Sequence, residues 1–134
     1  MSKLAILCVD DETIILNSLR RQLKQAFSDA YVYEAAESAD EAFEIIQELE
    51  EEGSDLIVIV SDWLMPGMKG DEFLSKVHEA HPRVIKILLT GQADEKAIQR
   101  VQAQTNLHQY LAKPWRSEDL VQCIRSGLEQ LNRA

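Results

Sequence analysis

Asp55-Leu56-Ile57-Val58-Ile59-Val60-Ser61-Asp62-Trp63-Leu64-Met65-Pro66-Gly67 is the stretch on which the reading of this chain turns. Residues 56–60 are all apolar and mostly β-branched. That is the pattern of a strand buried on both faces, as at the centre of a parallel sheet. A carboxylate, Asp62, stands where the strand should end, and Met65-Pro66-Gly67 then breaks the chain into a loop. In open parallel sheets ligands bind outside the carboxyl ends of the strands. Asp62 therefore falls where such a fold does its chemistry.

The same punctuation recurs on either side. Leu4–Val9 reads as a short apolar strand ending in Asp10-Asp11-Glu12. A helical pattern follows, with Ile15, Leu16, Leu19, Leu23, Ala26 and Phe27 on one face. Residues 30–36 alternate, carry Tyr31, Val32 and Tyr33, and read as a strand. Ser38-Ala39-Asp40-Glu41 is a capping box that opens a helix burying Ala42, Phe43, Ile46 and Leu49. The acidic run 48–52, broken by Leu49, reads as a solvated helix end before Gly53.

Beyond the loop at 65–67, Gly70-Asp71 leads into a helix with Phe73, Leu74, Val77 and Ala80 inward, closed by Pro82. Residues 84–89 form another near-continuous apolar strand, ending at Thr90-Gly91. Residues 93–104 are helical but weakly amphipathic, with Ala97, Ile98 and Val101 as the stripe. Residues 107–112 read as a last strand, ending at Lys113-Pro114. The final helix starts at Ser117 and buries Leu120, Val121, Ile124, Leu128 and Leu131.

Strands alternating with helices imply a parallel sheet covered on both faces, and right-handed crossovers leave few topologies. The fold predicted is α/β: a flavodoxin-like three-layer sandwich whose five-stranded parallel sheet has the order 2-1-3-4-5. The 134 residues are expected to form one domain, its core about 3–131. A net charge of −9 argues against direct nucleic-acid binding and against anionic membrane surfaces. No apolar run approaches the roughly 18–20 residues of a membrane span. The N-terminus leads directly into a strand with no signal peptide, so a cytoplasmic location is expected. Cys8 and Cys123 read as buried free thiols in a reducing compartment. His78, His81 and His108 lack ligand-like spacing and read as structural or surface residues.

The polar residues collect at the strand ends. Asp10 and Asp11 follow the first strand, Asp62 the third, Thr90 the fourth and Lys113 the fifth. In a parallel sheet these ends share one edge. Each has an ordinary reading by itself: a helix cap for Asp10-Asp11-Glu12, a plain exit for Thr90-Gly91, a surface lysine before a turn for Lys113-Pro114. Their conjunction in order carries more. Clustered carboxylates repel, and Mg²⁺ is a hard, oxygen-liganded cation that suits one or two of them with waters retained. A carboxylate is ionised at neutral pH, needs no general base, and can attack phosphorus directly to form an aspartyl phosphate. Metal and ammonium would then spread the phosphoryl charge, and a threonine hydroxyl would hydrogen-bond a new oxygen.

Taken together, these motifs resemble a response-regulator receiver domain of two-component signalling, over roughly residues 3–131. The resemblance implies that Asp62 accepts a phosphoryl group from a sensor histidine kinase or phosphotransfer protein. It implies that Asp11 and Asp62 ligate Mg²⁺ directly, Asp10 through water, and Leu64 by its backbone carbonyl. It further implies that Lys113 pairs with phosphoryl oxygens, that the Lys113–Pro114 bond is cis, and that Thr90 and the aromatic Tyr110 form the switch. Leu64 and Gln92 stand at positions that tune the lifetime of the aspartyl phosphate in this family, and Gly91 is expected to leave more room beside the phosphoryl group than the family's commoner alanine. Trp63, beside the acceptor, is expected to report Mg²⁺ by its fluorescence.

Output would be read on the face made by the fourth helix, fifth strand and last helix, through an effector domain, a downstream protein or a homodimer. The family catalyses only its own phosphorylation and dephosphorylation, so no separate enzyme activity is expected. The alternative is a Mg²⁺-dependent haloacid-dehalogenase-type phosphatase, which would want an acid at position 64, where this chain has leucine. A flavodoxin-like cofactor binder is disfavoured because Asp10-Asp11-Glu12 would repel a phosphate. The ending Lys113-Pro114-Trp115 resembles receivers attached to signalling enzymes such as cyclic-dinucleotide phosphodiesterases. The sequence is compatible both with a complete single-domain regulator and with a receiver from a longer protein.

Overall fold

Two apolar cores, one on each face of a single sheet, account for the continuous hydrophobic strands. The computed structural model describes residues 3–91, 95–105 and 107–133. Its strands are β1 (Leu4–Val9), β2 (Val32–Ala36), β3 (Asp55–Asp62), β4 (Ile85–Thr90) and β5 (Gln109–Ala112). They pair in parallel in the order β2-β1-β3-β4-β5, as the sequence predicts. The helices are α1 (Thr13–Phe27), α2 (Ala39–Glu52), α3 (Gly70–Ala80), α4 (Glu95–Thr105) and α5 (Ser117–Arg133).

Successive strand side chains point to opposite faces. Ile6, Cys8, Val58 and Val60 therefore pack with Leu16, Leu19 and Leu23 of α1 and Leu120, Cys123 and Ile124 of α5. Leu7, Val9, Ile59 and Leu88 pack instead with Ala42 and Ile46 of α2, Phe73, Leu74 and Val77 of α3, and Val101 of α4. Full burial of such a side chain stabilises by about 1.5–3 kcal/mol, so an inner strand carries polar groups cheaply only at its ends. Lys86 is the exception. It sits within β4, is almost wholly buried, and its Nζ donates to the Val84 carbonyl at 2.8 Å. Burial lowers its pKa from 10.5 to about 8.

Local signals hold at α2. The Ser38 hydroxyl accepts the Glu41 amide at 3.1 Å, and Gly53 ends the helix in the left-handed region at φ 74°. Cys8 and Cys123 are free and buried, and burial pushes the Cys8 thiol up to about 12. His81 Nε2 meets Glu50 Oε1 at 2.8 Å, tying the end of α3 to α2.

Two edge-strand starts and one burial differ from the sequence reading. β2 starts at Val32, because residues 28–30 form a short 3-10 turn. β5 starts at Gln109, although Leu107 is buried and His108 N–H donates to the Lys86 carbonyl at 2.9 Å. Ala80, expected inward, is exposed. A stripe drawn in steps of three falls about 60° behind the helix at each step, and by the last turn of α3 it has left the core. Phe43 is half-buried, edge-on to Phe73 with ring centroids 5.1 Å apart. Ile98 and Val101 form the buried stripe of α4; Gln92, the start placed at Ala93, and the side chain of Ala97 lie outside the described residues.

Candidate functional site: an acidic cluster bridged by a lysine

The carboxyl ends of β1 and β3 lie side by side, since Val9 pairs with Ser61. Asp10 continues β1 by one residue, its N–H donating to the Ala36 carbonyl at 3.1 Å. Asp62 is the last residue of β3 and pairs with Leu89 of β4. Thr90, next along β4, is buried. Its carbonyl accepts the Lys113 N–H at 2.8 Å, which carries the β4–β5 pairing one step past the end of β5. The Lys113–Pro114 peptide is cis.

Side chains from three of these ends meet. Lys113 Nζ lies 2.9 Å from Asp10 Oδ2 and 3.1 Å from Asp62 Oδ1. Ligand atoms of Asp10, Asp11 and Asp62 all lie within 4.8 Å of one another. Asp10 is fully buried, Asp62 is nearly so, and Asp11 is exposed. Asp10 commits both oxygens, because Oδ1 accepts the Glu12 N–H at 2.9 Å. Asp10 thus holds the turn before α1, but the N-cap, Glu12, makes no side-chain cap bond, so the helix-cap reading of this acidic run does not hold.

The electrostatics follow from this crowding. Burial pushes the Asp62 carboxyl above the usual carboxylate range; the Lys113 hydrogen bond opposes this, and the charges of Asp10 and Asp11 add to it. Burial works against the charged Lys113 ammonium, but its hydrogen bonds to Asp10 and Asp62 outweigh that and raise its pKa. One ammonium facing three carboxylates leaves the cluster net negative. Oxygen donors so placed fit a small hard dication.

The other predicted positions surround this centre. Leu64 is exposed on the loop after β3. Trp63 is half-buried against the α2–α3 side of the core, with its N–H donating to the Leu89 carbonyl at 3.0 Å. Tyr110 lies half-buried on β5 against the same core. Among the described residues, a Cβ at Gly91 would meet nothing within 4 Å. No histidine joins a metal-type cluster among the described residues.

The residue reading missed one support. Trp115 Nε1 donates to Gln22 Oε1 at 2.8 Å, fastening the segment after Lys113 to α1. Its partners stand 93 positions apart, and no local pattern announces such a pair.

A family model described as the response regulator receiver domain matches residues 6–125. The chain belongs to the response regulator receiver domain family. This receiver domain is 34% identical to the hydrogenase transcriptional regulatory protein HoxA of Cupriavidus necator, over 92% of the chain and 24% of that protein. It therefore spans about a quarter of HoxA's length. Among solved structures, it resembles a signal receiver domain of an HD domain-containing protein from Pseudomonas fluorescens Pf-5. That likeness has a TM-score of 0.85 and 27% identity, and covers 98% of this chain and 99% of that one. It also resembles the beryllofluoride-activated NtrC4 receiver domain dimer, with a TM-score of 0.82, 28% identity, and coverage of 95% and 98%. The haloacid-dehalogenase alternative finds no support: the family is a signalling domain, and Leu64 supplies no acid. No helix among the described residues is long and apolar enough to cross a membrane.

Proposed function

We propose that this receiver domain is switched by phosphorylation of Asp62. The observation that carries the reading is the Lys113 ammonium held between Asp10 and Asp62, with an Asp11 oxygen in the same cluster. Asp11 and Asp62 would hold Mg²⁺ directly, with the Leu64 carbonyl. Asp10, whose oxygens are taken by Lys113 and the Glu12 amide, would act through water. Bound Mg²⁺ would supply positive charge to the non-bridging phosphoryl oxygens.

The chain's own residues do the rest. An Asp62 carboxylate oxygen attacks phosphorus, a new O–P bond forms, and the bond to the donor's imidazole nitrogen breaks as the leaving group takes the electron pair. Lys113 moves its hydrogen bond from the Asp62 carboxylate to a phosphoryl oxygen, and Thr90 donates its hydroxyl to another. Tyr110 then turns inward as Thr90 shifts. Because Thr90 O and Lys113 N are hydrogen-bonded, displacement of β4's end is passed to β5.

The donor would be a sensor histidine kinase or a phosphotransfer protein. Output would run through the α4–β5–α5 face to an effector domain, a downstream protein or a second copy, in the cytoplasm and without direct nucleic-acid contact by this domain. Residues 1–134 would form one receiver unit. HoxA is named as a transcriptional regulator, and the NtrC4 neighbour is a receiver dimer. Both are outputs of the kind proposed.

The test is intact-mass measurement after incubation with acetyl phosphate and Mg²⁺. Wild type should gain one phosphoryl group; Asp62→Ala should gain none. A labelled Asp62→Ala, or an unlabelled wild type, removes the assignment. In a separate measurement, Trp63 emission should change as Mg²⁺ is raised to millimolar levels. A flat titration would refute metal binding next to Trp63.

A further inference from the structure

A glycine that needs no unusual backbone angle opens α3. Gly53 and Gly67 have positive φ, at 74° and 81°, and Gly70 does not. Its reason for being glycine is therefore space. A Cβ built on Gly70 would overlap the Asp62 carbonyl oxygen and lie 2.9 Å from Trp63 Cα and 3.0 Å from the Asp62 carbonyl carbon. All three are backbone atoms, so no side chain can swing aside. Any residue but glycine forces α3 away from the end of β3, or the end of β3 away from α3.

The contact is reinforced by a hydrogen bond. Gly70 N–H donates to the Trp63 carbonyl at 2.8 Å, closing the loop that contains Leu64, Met65 and Pro66. Lys69 O accepts the Phe73 N–H at 2.9 Å, and Phe73 is fully buried. The position of α3 is thus set by the core and delivered, through Gly70, to the peptide of Asp62 itself. From the other side Trp63 N–H is held by Leu89 O at 3.0 Å.

We infer that Gly70 is a positioning residue for Asp62: its lack of a side chain lets α3 press on the Asp62–Trp63 backbone and set the Asp62 carboxylate against Asp11 and Lys113. The same contact sets the loop carrying the Leu64 carbonyl. The inference deepens the proposed phosphoacceptor reading and rests on it. Misplacing a reacting group by about 1 Å can cost on the order of 100-fold in rate.

The experiment compares the full chain with Gly70→Ala and Gly127→Ala. Gly127 is also packed: a Cβ there would lie 2.7 Å from Ile85 Cγ2, at the opposite end of β4 from the site. Three quantities are read: melting temperature, Mg²⁺ affinity by calorimetry, and phosphorylation rate against acetyl phosphate concentration. Gly70→Ala should weaken Mg²⁺ binding and lower the rate at saturating acetyl phosphate, the latter on the order of 100-fold. Gly127→Ala should lower the melting temperature and leave both site readouts at wild-type values.

Wild-type affinity and rate in Gly70→Ala would overturn the inference, and so would equal losses in Gly127→Ala. If Gly70→Ala unfolds in buffer, the readings are taken with trimethylamine N-oxide, which favours the compact state. Failure to fold even there would show that Gly70 supports the whole fold and not the site, and would also overturn it. Failure of wild type to take up phosphate defeats the acceptor reading instead, while the Mg²⁺ comparison still judges Gly70.

Discussion

Lys113→Met is expected to cost about 3 kcal/mol of folding stability in the absence of divalent cations, which is the scale for stripping one partner from a buried ion pair. The substitution keeps the length of the stem and removes the charge that bridges Asp10 Oδ2 and Asp62 Oδ1, at 2.9 and 3.1 Å. Asp10 is left fully buried and next to two other carboxylates. The sign of the pH dependence is fixed by Asp62. Its folded-state pKa already lies above the ordinary carboxylate value. Folding therefore takes up a proton as pH falls through the window above that value, and acidification relieves the strain. Without the ammonium that window moves further up, so the variant should regain stability on mild acidification more steeply than wild type. Added Mg²⁺ should return part of the loss at neutral pH. Equal urea midpoints for variant and wild type in chelator would show that the ion pairs contribute nothing net.

Lys86→Met should do the opposite and stabilise the protein by about 1–3 kcal/mol at pH 7, within the range seen when buried charges give way to apolar groups. Lys86 faces Ile59 across β3–β4 and is 1% exposed, with one hydrogen bond to Val84 O. The interval between 10.5 and about 8 corresponds to about 3 kcal/mol charged against the folded state while the amine is protonated. Below pH 8 both folded and unfolded chains carry the proton, and the whole cost is present. As pH rises from about 8 towards 10.5 the folded amine releases its proton first, so wild-type stability climbs through this window. The variant should lack that climb. Parallel stability curves for the two proteins between pH 7 and 10 would show that Lys86 is not held against its charge.

The inner strands and the chemistry at their ends were legible because one cause acts on both. A strand covered on two faces must be apolar throughout, so Asp62 and Thr90 stand out where β3 and β4 stop. The edges were less legible. β2 and β5 pair on one side only, and both are shorter than the sequence pattern suggested. Side chains there are half-buried, and the contrast that marks a boundary is weak. Lys86 was hidden inside an otherwise apolar run, since its burial depends on what α3 and α4 lay over β4. The Gly70 approach and the Trp115–Gln22 bond are tertiary facts, and residue type alone points to neither.

Asp10 and Lys113 stand 103 positions apart. On the ribosome the three aspartates are made first, and the ammonium that pairs with Asp10 and Asp62 in the folded site is made only when Lys113 is reached. Until then the nascent chain must borrow cations from solution or leave the cluster open to water. Translation thus delivers the keystone of this arch after the aspartates it locks together.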